Sequence, residues 1–133
     1  MKFRISLPCP LNRRFMPIAF TKKHPGGKSF TGARQVLSKE YRSKQQRLVA
    51  EVWKQTGGFP PAAITGNVQV CMVMTPRDKR TADIDAYAKA ILDGLVKANV
   101  LKDDSQVVHT ICERLPNAEH PGHIDVTVEE IGQ

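Results

Sequence analysis

The stretch from Thr81 to Gln106 leaves the rest of the chain little choice of what to build around it. From Ile84 onward, Ile84, Tyr87, Ala88, Ile91, Leu92, Leu95 and Val96 keep a helical spacing, which predicts a helix over residues 83–98. Asp85, Lys89 and Asp93 fall at i, i+4 and i+8 and form one stripe on its opposite face. Asp83 and Asp85 stand at the start of that helix, and Asp103 and Asp104 follow it in the turn that feeds the next strand. If the chain folds back there, these carboxylates meet near one lysine. Carboxylates gathered beside a cation in a strongly basic chain are what a magnesium-dependent nuclease needs. The same residues have a plainer reading. Asp83 would be an N-cap, Asp85 a first-turn acid facing the helix dipole, Lys89 a partner in surface ion pairs, and Asp103-Asp104 ordinary turn residues.

Charge is what separates the two readings. The chain of 133 residues carries 20 Lys+Arg against 13 Asp+Glu, a formal +7, which favours a polyanionic partner. The charge is unevenly laid out: residues 1–56 sum to +11, 57–82 to +2 and 83–133 to −6. Basic residues that grip phosphates and acidic residues that hold a metal would divide along this line. Hydrophobic content of 41% and charged content of 25% suit one globular domain over residues 1–133 with a core of its own. Cys9, Cys71 and Cys112 are isolated, without C-x-x-C spacing, so neither a disulfide framework nor a cysteine zinc site is expected. Cys71 and Cys112 lie in apolar strand-like runs and are expected to be small core residues. No leader-like or 18-residue apolar run is present, so an intracellular, cytoplasmic protein without membrane contact is expected.

Along the chain, Phe3, Ile5 and Leu7 alternate with polar residues as a strand stopped by Pro8 and Pro10. Residues 9–34 mix prolines and glycines with Arg13, Arg14, Lys22, Lys23, Lys28 and three phenylalanines, and are read as a long basic loop suited to phosphate and base contacts. Residues 36–56 then turn helical, with Leu37, Tyr41, Leu48, Val49, Val52 and Trp53 on the apolar side and Ser38 placed to cap the start. Gly57-Gly58 ends this helix and Pro60-Pro61 prevents its resumption. Residues 66–75 read as a central strand covered on both faces. The charged turn with Arg77, Lys79 and Arg80 delivers the chain to Asp83, where its three cations would hold DNA across the site. Strands over 106–115 and 123–131 complete a β-α-β-α-β-β order. This is an α/β (α+β) fold with a small mixed sheet of about four strands and two main helices. His120 and His123 flank a Pro-Gly turn that disfavours convergent metal binding, and no phosphate-loop, dinucleotide or serine-hydrolase motif occurs.

Asp83-Ile84-Asp85, Lys89, Asp93-Gly94-Leu95 and Asp103-Asp104-Ser105-Gln106-Val107, at these intervals, resemble the RusA family of Holliday-junction resolvases. The opening Leu7-Pro8-Cys9-Pro10-Leu11-Asn12-Arg13 is similar to the family's proline-rich end of the first strand. Correspondence is good over about residues 66–131 plus the first strand. The resemblance implies a small bacterial or phage-encoded homodimer that cuts four-way DNA with Mg2+ by paired, symmetric incisions. By position it makes Asp83, Asp85 and Asp104 the metal-binding catalytic carboxylates, Lys89 the lysine beside the phosphate, and Asp103 a further candidate ligand. Ala86 stands where the family usually has asparagine, and Val100-Leu101-Lys102 replaces an aromatic before the acidic pair. Two other readings remain open at the level of sequence: a magnesium nuclease for flaps or other branched DNA, and a non-catalytic DNA-binding protein with structural aspartates.

Overall fold

Alternation at period two fixes the centre of the fold. Val68, Val70, Met72 and Met74 all project to one side of a strand and all are buried, while Gln69, Cys71 and Val73 on the other side are half-buried. In a computed structural model describing residues 1–10, 13–23, 29–79 and 84–131, this strand, Val68–Thr75, lies inside a four-stranded sheet. In chain order the elements are β1 (Lys2–Ile5), β2 (Phe15–Lys23), β3 (Ser29–Leu37), α1 (Lys39–Gln55), β4 (Val68–Thr75), α2 (Asp85–Lys97), β5 (Val107–Arg114) and β6 (His123–Glu130). The main sheet runs β1-β6-β4-β5, with β6 antiparallel to both neighbours and β5 parallel to β4. A parallel pair needs a crossover, and α2 supplies it.

The expected order of main-sheet strands and helices holds, with three corrections. Within the expected loop of residues 9–34, residues 15–23 and 29–34 are strand: β2 and β3 form a separate two-stranded antiparallel sheet, with Phe15 opposite Leu37 and Lys23 opposite Ser29. Cys112 is exposed rather than a core residue, because β5 is an edge strand and nearly every residue of it is open to solvent. The second face of β4 is only half covered, so that strand is central in order but not sealed on both sides. Among the described residues, no helix is long and apolar enough to cross a membrane.

Core packing brings the two helices together. Leu48 and Val52 from α1 meet Ile91 and Leu95 from α2 over Phe3, Ile5, Val70, Met72, Ile124 and Val126 of the sheet. Ser38 caps α1 by accepting from the Tyr41 amide at 3.0 Å, as its position predicts. The Trp53 indole donates to the Ala98 carbonyl at the end of α2, 2.9 Å away. Gly94 lets the helices approach: a Cβ there would lie 2.5 Å from Leu48 Cδ2 and 3.1 Å from Gln45 Oε1. Since Leu48 and Gln45 are themselves buried, they have little room to yield. Gly94→Val is expected to lower unfolding stability by about 1–3 kcal/mol. Urea titration of Trp53 fluorescence measures this directly, and an unchanged midpoint would mean the helices are not in contact there.

Candidate active site

The polar stripe on α2 faces the junction of three segments: the base of the β2–β3 hairpin, the first turns of α1, and the connection from α2 to β5. Its last member, Asp93, is the most contacted. One carboxylate oxygen, Oδ1, accepts an ion-pair contact from Lys89 Nζ at 3.1 Å. The other, Oδ2, accepts from the Tyr41 hydroxyl at 2.7 Å and from Arg14 Nη2 at 3.1 Å. Arg14 also stacks over the rings of Phe15 and Tyr41, 4.9 and 5.2 Å from their centroids. Burial, followed by the bond to Asp93, pushes the Tyr41 phenol up to about 12, so it remains a proton donor throughout the neutral range.

Lys89 reaches a second carboxylate, Asp104, at 3.4 Å. Its ammonium is shifted upward, mainly by the bond to Asp93 and the field of that carboxylate, with Asp104 adding to it. Asp104 owes its position to a short 3-10 turn, Asp104–Gln106. The turn is closed by a capping box: Asp103 accepts from the Ser105 amide at 3.2 Å, and Gln106 Oε1 accepts from the Asp103 amide at 3.0 Å. That bond from Ser105 is the main cause that holds the Asp103 carboxyl below the usual carboxylate range. The Gln106 amide group then donates to the carbonyls of Ile64 and Gly66, at 2.6 and 2.8 Å. A cleft of about 400 Å³ opens between these parts, lined by Arg14, Tyr41, Asp93, Lys97, Lys102 and Asp104 among others.

The sequence-predicted residues are distributed as follows. Lys89 and Asp104 come together, with Asp103 beside them as the cap. Asp85 occupies the first turn of α2, and its charge adds to the partial desolvation that pushes the thiol of Cys112, exposed on β5, upward. Asp83 lies outside the described residues, as do Lys28 and Arg80. Among the described residues, no group of three acidic, histidine or cysteine side chains is set closely enough to hold a metal ion. The donors themselves suit magnesium: Asp104 offers hard oxygen, is 45% exposed and is balanced by Lys89.

Of the cations expected to touch DNA, Arg14 turns inward to Asp93, while Arg13 pairs loosely with Glu40 at 3.6 Å. Lys22 and Lys23 are on β2, and Arg77 and Lys79 are exposed in the turn after β4. Sequence reasoning missed Tyr41 as a polar participant, because its helical position marked it as apolar. It also missed the Asp103-x-x-Gln106 box, whose spacing is a recognised turn signal.

A family model described as "Endodeoxyribonuclease RusA" matches residues 17–129. Crossover junction endodeoxyribonuclease RusA of Escherichia coli strain K12 is 27% identical over 131 residues, covering 98% of this chain and 96% of the relative. The protein of the same name from strain CFT073 of Escherichia coli O6:H1 matches equally.

Proposed function

The chain belongs to the RusA endodeoxyribonuclease family, and on that premise we propose that it resolves four-way (Holliday) DNA junctions with magnesium, by paired symmetric incisions made as a homodimer. The observation that carries this reading is Asp104, paired with Lys89, on a cleft also lined by Arg14, Lys97 and Lys102. Acid and base are thus juxtaposed where a polyanion would be received.

Asp83, Asp85 and Asp104 would hold magnesium through carboxylate oxygens, and the ion, when bound, would supply Lewis acidity for phosphodiester hydrolysis. The remaining work falls to side chains of this chain. Lys97 and Lys102 draw the phosphate backbone toward the cleft, and the hairpin lysines Lys22 and Lys23, with Arg77, Lys79 and Arg80, extend that attraction. Lys89 is a cation throughout the neutral range, so it acts as a fixed charge beside the phosphate rather than as a proton acceptor. A four-way junction is close to two-fold symmetric, and a C2 dimer would offer one site to each of two opposed strands. Edge strand β5 supports such pairing, since it leaves Val108 and Ile111 48% and 47% exposed.

Titrating magnesium against labelled four-way junction, flap and linear duplex tests the proposal. Junction cutting is expected to need the metal, to yield symmetric nicks, and to exceed flap and duplex cutting at least about tenfold, a difference of roughly 1.4 kcal/mol in barrier. Equal cutting of flaps would favour the broader branched-DNA nuclease. Binding without cutting at any magnesium concentration would favour the non-catalytic reading. A monomer by light scattering, with and without junction, would remove the paired mechanism.

A further inference from the structure

We infer that Asp93 is a positioning residue of this site, holding the Lys89 ammonium toward Asp104 and the Arg14 guanidinium at the cleft wall. The inference rests on the proposed catalytic role of Lys89 and adds a residue to it. Lysine is a point charge on a flexible four-carbon stem, and left alone it spreads over many rotamers. Lys89 is 41% exposed, so packing does not fix it. Its two contacts do: Asp93 at 3.1 Å, one helical turn along, and Asp104 at 3.4 Å.

Asp93 can serve as the fixed point because it is itself held. It is only 17% exposed, which limits screening by solvent. Tyr41, from α1, anchors Oδ2, and Arg14, from the base of the hairpin, shares that oxygen. Arg14 is in turn tied down, since the Ser38 amide donates to its carbonyl at 2.9 Å. One carboxylate therefore sets two cations, using one oxygen for each. Asparagine has the same shape but cannot do this. Whichever way its amide is turned, an NH2 group faces either the Lys89 ammonium or the Tyr41 and Arg14 donors.

Asp93→Asn is the test, measured as single-turnover cleavage of a four-way junction at saturating magnesium, junction affinity in EDTA, and thermal midpoint. The cleavage rate is expected to fall about 10- to 100-fold, the scale of a misplaced catalytic group. Affinity should be unchanged or tighter, because a negative charge has been removed. A merely structural role would lower the midpoint and leave the rate of the folded fraction alone. Wild-type cleavage, or rate and affinity falling in step, would overturn the inference. Should the asparagine variant not fold, Tyr41→Phe decides: it keeps the charge, loses the anchor, and is expected to slow cleavage about fivefold at unchanged affinity. No slowing would overturn the inference equally. Lys89→Ala, run alongside, keeps the two levels apart. If it cuts normally, the role assigned to Lys89 fails; if it is inactive while Asp93→Asn is normal, only the role assigned to Asp93 fails.

Discussion

Asp104→Asn is expected to slow junction cleavage at least about 1,000-fold, close to 4 kcal/mol in barrier, while junction binding in EDTA stays the same or tightens. The substitution exchanges a charged two-oxygen carboxylate for a neutral group with one oxygen. It leaves the fold alone for a specific reason: the 3-10 turn is capped by Asp103, and Asp104 contributes no cap to it. Asp104 is also 45% exposed, so no buried charge is left unpaired. Lys89 keeps its contact with Asp93 and is not released to solvent. Removing an acid from a chain of formal charge +7 raises its attraction for DNA, so the loss belongs to the chemical step rather than to binding. Asp83→Asn is expected to behave alike. Gel-shift and cleavage assays on the same preparations measure both halves, and normal cutting by the two variants would move the site elsewhere.

Lys89→Ala is expected to cost about 100- to 1,000-fold in cleavage, in the range of removing one donor aimed at developing charge. The geometry distinguishes this from proton transfer. Asp93 and then Asp104 raise the Lys89 ammonium, so its charge is constant across the neutral range and the rate owes it no pH dependence there. Lys89→Arg should recover part of the rate, since the charge is kept while the planar guanidinium fits the contacts of an ammonium poorly. A rate–pH profile compared between wild type and Lys89→Arg checks the assignment. A limb near neutrality that vanished in the arginine variant would mean that the lysine exchanges a proton and is no fixed charge.

The main sheet and helices were legible because their residues obey one period at a time. Val68 to Met74 alternate strictly, and Ile84 to Val96 keep one helical face. The hairpin of residues 15–37 was not, although the His-Pro-Gly-Gly-Lys segment between its arms carries turn residues. Pro17 and Gly32 break the alternation along its arms, and among the described residues β2 and β3 pair with each other rather than with the main sheet. Cys112 misled for the opposite reason. Val107 to Cys112 is apolar enough to pass for a core strand, and its exposure follows from its place at the edge of the sheet, which no local pattern records.

Of the site, the spacing of Asp85, Lys89 and Asp93 gave the stripe, and the pairing of Lys89 with Asp104 followed from the chain turning back after α2. The convergence on Asp93 was out of reach. Tyr41 and Arg14 stand 52 and 79 positions away, and nothing in an apolar-face tyrosine announces that its hydroxyl is the part that matters.

The segment joining α1 to β4 looks like packaging, yet Asn99, Val100, Leu101 and Gln106 all fasten to it through the main chain of Pro61, Ile64 and Gly66. The length of this plain connector thereby becomes a gauge for how far Asp104 protrudes. Trimming or stretching it is expected to shift Asp104, and with it the rate of cutting, without altering a single charged side chain.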